Sequence, residues 1–111
     1  MKPRDIPELP FSKPKELVFL QELAPEQRDA MDPWEQKHRV QKFAYELSEA
    51  FLQHDPKLDY EGCLTFVGNA LMETGGAFGG QFGMLMVGEA ETIAMEACDQ
   101  LYPAKNPRDW N

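Results

Sequence analysis

The chain has 111 residues, of which 19 are Asp or Glu and 11 are Lys or Arg, so its formal charge is −8. A chain of this length forms one domain with a modest core and needs neither metal nor disulfide to fold. The acidic balance argues against direct binding to nucleic acid, which requires cations to neutralise phosphates. The first residues contain no apolar leader segment, so we expect a cytoplasmic protein.

The N-terminal segment, residues 1–11, contains three prolines and no helical period, which predicts an extended arm. Such an arm is either disordered or docked along a groove. Ser12 is predicted to cap a short helix that carries Pro14 in its first turn. The apolar run 17–20 fits a strand equally well, but no second strand candidate exists to pair with it. Pro25 then begins a second short helix, which we expect to run to Met31.

The clearest predicted helix begins at Asp32 and Pro33, a preferred cap followed by a residue suited to the first helical position. It should end near His54, because Pro56 disfavours helical backbone at Asp55. Its apolar residues recur at steps of three and four: Val40, Phe43, Leu47, Ala50 and Phe51.

Two more long helices follow in the second half of the chain. Asp59 is predicted to cap the first, and Gly75 with Gly76 to end it. The second should begin near Gln81 and end before Pro103. Their apolar stripes are, respectively, Tyr60, Cys63, Leu64, Val67, Leu71 and Phe82, Leu85, Met86, Ala90, Ile93, Ala97, Leu101.

These elements predict an all-α protein, a small bundle of three main helices plus one or two short N-terminal helices. Residues 12–103 are expected to form this single helical domain, and residues 104–111 an irregular tail. Charge divides the domain into two halves. Between residues 58 and 104 there is no Lys or Arg, and there are seven acids: Asp59, Glu61, Glu73, Glu89, Glu91, Glu96 and Asp99.

All eight glycines lie between Gly62 and Gly88. A phosphate-binding loop would need a following Gly-Lys-Ser/Thr, and a dinucleotide fingerprint would need a preceding strand, so both are rejected. The break at residues 75–76 leaves two pieces too short to span a membrane, and we expect no membrane association. The glycines therefore serve either as a hinge or as a surface that another backbone approaches closely.

The residues that might carry chemistry show no catalytic or metal-binding pattern. No two of His38, His54, Asp55, Cys63 and Cys98 have the spacing of zinc ligands. Both cysteines fall on or beside apolar stripes, where a thiol is usually an inert small hydrophobe. We therefore expect no catalytic residue, no metal and no cofactor.

The distribution of methionine is the feature of the sequence that is most informative about function. Met84 and Met86 lie about 200° apart on a helix and so cannot face the same core. Because Leu85 and Val87 lie beside them, this segment is apolar all round, which indicates either a central helix or contact with a partner. The residues predicted to bind that partner are Phe78, Phe82, Met84, Leu85, Met86 and Glu89.

The leading hypothesis is therefore association with another protein, or with a second copy in a homodimer, as an adaptor, assembly chaperone or inhibitor, including one from a mobile element. A first alternative is an acidic mimic of nucleic acid that blocks a DNA- or RNA-binding protein. A second alternative is an enzyme that uses His54, Asp55 and Cys63.

Overall fold

The computed structural model describes residues 11–102, which contain six helices and no strand. The all-α class is therefore confirmed. The predicted tail and all but the last residue of the predicted arm lie outside the described residues. In chain order, the helices are α1 (Lys15–Glu22), α2 (Pro25–Ala30), α3 (Pro33–His54), α4 (Tyr60–Phe78), α5 (Gly80–Gly88) and α6 (Ala90–Leu101).

Helix α3 begins and ends where the local signals predict. The Asp32 carboxylate accepts a hydrogen bond of 2.9 Å from the amide of Glu35, and Pro33 is the first helical residue. The side chains of Glu35 and Arg39 form the expected ion pair one turn apart, at 3.7 Å. The central members of the predicted stripe, including Val40 and Phe43, are buried.

Helix α1 is capped from other parts of the fold. Helix α1 has no side-chain cap of its own, so the prediction for Ser12 was wrong. Instead, a carboxylate oxygen of Glu46 on α3 accepts from the amide of Glu16 at 2.9 Å. At the other end of α1, the Arg28 guanidinium donates to the carbonyls of Leu20 and Leu23 at 2.8 and 2.9 Å. Long-range contacts thus satisfy backbone groups that a short helix leaves open.

Helix α4 starts at its predicted cap, because Asp59 accepts from the amide of Gly62 at 2.8 Å. It does not end at Gly75 and Gly76 but continues to Phe78. The chain turns at Gly79, where φ is +70°, a backbone conformation that glycine adopts without steric cost.

The predicted last long helix is present as two pieces. Helices α5 and α6 follow one another along α4 in the opposite direction, and the chain bends at Glu89, where φ is −113° and ψ is 15°. Gly88 precedes the bend, and glycine is a common cause of a kink because it stabilises a helix poorly. Helix α5 packs on the second half of α4, and α6 ends beside Tyr60, whose hydroxyl donates to Asp99 at 2.6 Å.

The core lies between α3, α4 and the α5–α6 pair, and α1 closes one side through Leu17 and Leu20. Its largest enclosed side chains are Phe43, Phe82, Leu17, Leu20, Leu47, Leu71, Met86 and Ile93. Every helix except the short, polar α2 contributes at least one apolar side chain to this core.

Candidate interaction surface

Helix α5 has one buried face and one exposed face. Phe82 and Met86, four residues apart, are 0% exposed, whereas Met84 is 75% exposed and Val87 is 39% exposed. Met84 and Met86 therefore lie on opposite faces, as the helical angle between them requires. This burial corrects the predicted binding set: Phe82 and Met86 belong to the core and are not accessible to a partner.

Three other members of the predicted set lie at the edges of this helix. Phe78 is half-buried, with its ring 6.2 Å from that of Phe82 and the Arg28 guanidinium 4.1 Å above it. Leu85 is half-buried against the core. The Glu89 carboxylate forms an ion pair of 3.6 Å with Lys37 on α3.

Backbone-to-backbone packing holds α5 against α4. A Cβ atom at Gly75 would lie 2.7 Å from the carbonyl oxygen of Gly83, and a Cβ at Gly83 would collide with the carbonyl oxygen of Gly75. Neither contact leaves room for any other residue, because the atoms that would have to move are backbone. Of the two roles predicted for the glycines, the structure thus assigns close approach to this pair.

The N-terminus of α5 receives its cap from α2. Gly79 has no side chain to cap the helix, and the Asp29 carboxylate accepts from the amide of Phe82 at 3.0 Å. Asp29 also occupies the space beside Gly80, where φ is +66°. The position and direction of the exposed α5 residues therefore depend on α2 as well as on α4.

The exposed side of α5 continues onto α4. A methyl group of Val87 packs at Gly75, 2.7 Å from where a Cβ would lie, and Met72 precedes Gly75 by one helical turn. Met72 is 51% exposed. We call Met72, Met84 and Val87 the methionine face. Met72 was not among the predicted binding residues, although its departure from the α4 stripe (Val67, Leu71) was a usable signal.

The exposed acids near this face have no cationic partner within the described chain. Glu73 adjoins Met72, and Glu91 lies in the first turn of α6, four residues after Val87. Neither Glu73 nor Glu91 forms an ion pair with a residue in the range 11–102, whereas Glu89 pairs with Lys37. The negative charge of Glu73 and Glu91 beside the methionine face is therefore not neutralised by any cation in residues 11–102.

The residues considered for catalysis are not gathered into a site. Cys63 and Cys98 are fully buried and hydrogen-bonded to each other, which lowers the pKa of the Cys63 thiol to about 7 and raises that of Cys98. His54 is an exposed residue at the end of α3 and contacts the ring of Phe11. Asp55 accepts from the amide of Lys57 just beyond that helix.

Neither a cluster of metal ligands nor a membrane-spanning helix occurs in the described part of the chain. No group of three or more His, Cys, Asp or Glu side chains in residues 11–102 is placed to hold a metal ion. Within the same range, no helix combines the length and the apolar character needed to cross a bilayer.

A second exposed feature lies on α3. Trp34 is 73% exposed and stacks on His38, with ring centroids 5.1 Å apart. The shallow cleft beside them, about 360 Å³, is lined by both signs of charge: Asp32, Glu35, Arg39 and Lys42. Because Arg39 and Lys42 already pair with Glu16, this cleft has little free charge to select a ligand.

Comparison with protein families, with curated proteins and with solved structures finds no match for this chain.

Proposed function

We propose that this protein acts by associating with another macromolecule through the methionine face rather than by catalysing a reaction. The observation that carries the proposal is the exposure of Met84, which is 75% exposed on a helix whose opposite face is fully buried. Methionine is flexible and polarisable, and it is common at surfaces that adapt to a partner. An adaptor, an assembly chaperone or an inhibitor would each use such a surface.

The free energy available from burying the methionine face is consistent with a small interface. Complete burial of one methionine or valine side chain contributes about 1.5–3 kcal/mol. Met72, Met84 and Val87 are each partly exposed, so covering them together supplies several kcal/mol before the costs of association. A few such anchors account for most of the binding energy in many protein complexes.

Nucleic-acid mimicry is the second candidate, and the observation that favours it is that the exposed acids Glu73 and Glu91 form no ion pair with the described residues. A mimic would depend on carboxylates such as Glu73 and Glu91 and not on Met84. Its binding would weaken steeply with salt because the attraction is electrostatic. Seven acids spread over residues 58–104 are sparse for a phosphate mimic, so association through the methionine face is preferred.

Substitution of Met84 tests the proposal. We expect Met84→Glu to abolish a complex that the wild-type protein forms, seen as a photocrosslink from a photoreactive residue at the exposed position 87 or as a mass above the monomer in light scattering. Gln53→Glu is the matched control, because it adds the same charge at an exposed position on α3. A wild-type protein that stays monomeric and forms no crosslink sensitive to Met84→Glu would contradict the proposal.

A further inference from the structure

Each exposed methionine of the methionine face has a glycine one helical turn away. Gly68 precedes Met72 on α4, and Gly88 follows Met84 on α5. A Cβ atom at either glycine would meet nothing within 4 Å, and neither glycine has a positive φ. Neither a close contact nor a left-handed backbone conformation therefore requires glycine at these positions, although glycine weakens a helix by about 1 kcal/mol relative to alanine.

A glycine beside a flexible apolar side chain allows another helix to approach closely. Small residues let a second backbone come close, and the methionines then fill the space between the partner's side chains. In residues 11–102 there is no strand, so a partner cannot pair with a sheet edge there. The geometry of this face therefore favours an α-helix over an extended peptide.

The charge around the methionine face determines which kind of partner helix fits it. Glu73 and Glu91 are exposed and have no ion pair among the described residues, and no Lys or Arg occurs between residues 58 and 104. A partner with Lys or Arg beside its apolar stripe would supply the missing cations. A partner with acids there would meet like charges and be disfavoured.

A second copy of this chain fits the face poorly. In a two-fold dimer the same patch meets itself, so Glu73 and Glu91 of one copy would face the same carboxylates of the other. On α3, Lys37, Arg39 and Lys42 are already engaged with acids of their own chain. The protein's net charge of −8 adds repulsion between copies.

We infer that the methionine face binds a cationic amphipathic helix of another protein, with the glycines at 68 and 88 admitting the partner's backbone. This inference rests on the proposed function and specifies its partner. The acidic residues steer the helix and set its orientation, and the methionines supply the apolar contact.

The experiment uses the full chain and two synthetic helical peptides with the same leucine stripe, one carrying lysine and the other glutamate on its polar face. Methionine methyl groups labelled with ¹³C report the site by NMR, and titration gives the Kd. We expect the lysine peptide to shift the Met72 and Met84 methyl signals and to leave that of the half-buried Met31, in the link between α2 and α3, unchanged. The glutamate peptide should shift none of them.

Variants of the protein then distinguish the contributions that apolar contact, charge and close backbone approach make to peptide binding. We expect Met84→Ala to weaken binding of the lysine peptide about tenfold. Glu73→Gln and Glu91→Gln should each weaken it by about two- to fivefold, and Glu22→Gln, on the exposed side of α1, should leave it unchanged. Gly68→Ala and Gly88→Ala should weaken binding without lowering the stability of the protein, a result that a purely structural role cannot produce.

Three results would overturn the inference: equal binding of both peptides, methyl shifts away from Met72 and Met84, or loss of affinity no greater for these variants than for Glu22→Gln. The proposed function can survive such a result. If Met84→Glu still abolishes a complex with a protein that binds independently of salt, association through the methionine face stands and only the cationic helix is wrong.

Discussion

The first three helices and the last three are held together by different kinds of contact. In residues 11–57, charged and amide side chains bridge the helices: Arg28 donates to carbonyls of α1, and Gln36 donates to those of Arg28 and Asp29. In residues 58–102, α4 and α5 meet backbone to backbone at Gly75 and Gly83. In the first region Arg39 and Lys42 pair with Glu16, whereas in the second region Glu73 and Glu91 are exposed and form no ion pair with the residues that the structure describes.

Of the substitutions that test this difference, Gly83→Ala should cause the largest loss of stability. The added Cβ would collide with the carbonyl oxygen of Gly75, a backbone atom that cannot move without separating α4 from α5. We expect a loss of about 3 kcal/mol in the free energy of unfolding, at the upper end for overpacking. Denaturation by urea, followed by circular dichroism, measures it. A stability within error of wild type would show that α4 and α5 have room for the added Cβ atom.

In the first region, the corresponding test is Arg28→Met, which removes the side chain that bridges the helices. This change keeps much of the side-chain volume but leaves the carbonyls of Leu20 and Leu23 without their donor and removes the cation above Phe78. A buried group left unsatisfied costs about 1–3 kcal/mol, so we expect a loss of about 2 kcal/mol. The same urea titration applies. A neutral result would mean that water replaces the guanidinium at little cost.

Asp29→Ala tests the contact that joins the two regions. The amide of Phe82 would lose its acceptor, and we expect a loss of about 1 kcal/mol, as for other helix caps. Asp29→Asn is the control, because its amide oxygen keeps an acceptor at the same place and should retain most of the stability. Equal losses in the two variants would assign the effect to the charge of Asp29 rather than to capping.

The smallest effect, of opposite sign, is expected from Gly68→Ala. The space where the Cβ would lie is open, so the gain in helix propensity should stabilise the protein by about 0.5–1 kcal/mol. Gly83→Ala makes the same chemical change at a packed glycine, so the pair measures packing alone. Destabilisation by Gly68→Ala would show that the fold itself needs glycine there.

Local signals were sufficient for much of this molecule. The limits of α3, the Asp59 cap, the ion pair between Glu35 and Arg39 and the burial of Val40 and Phe43 all follow from residues within a turn or two. The candidate surface was predicted less well. Of the residues predicted to bind a partner, Met84 is exposed but Phe82 and Met86 are buried, and the exposed Met72 was not among them, because periodicity alone does not tell which face of a uniformly apolar helix meets the core.

The sequence by itself determined the all-α class and the acidic, glycine-rich character of the second half, since composition and helical period are local properties of the chain. Only the tertiary structure decided which glycines pack, which distant carboxylates cap α1 and α5, and which methionines remain exposed. Those outcomes depend on neighbours far away in sequence, such as Asp29 for α5 and Glu46 for α1, whose positions no local pattern specifies.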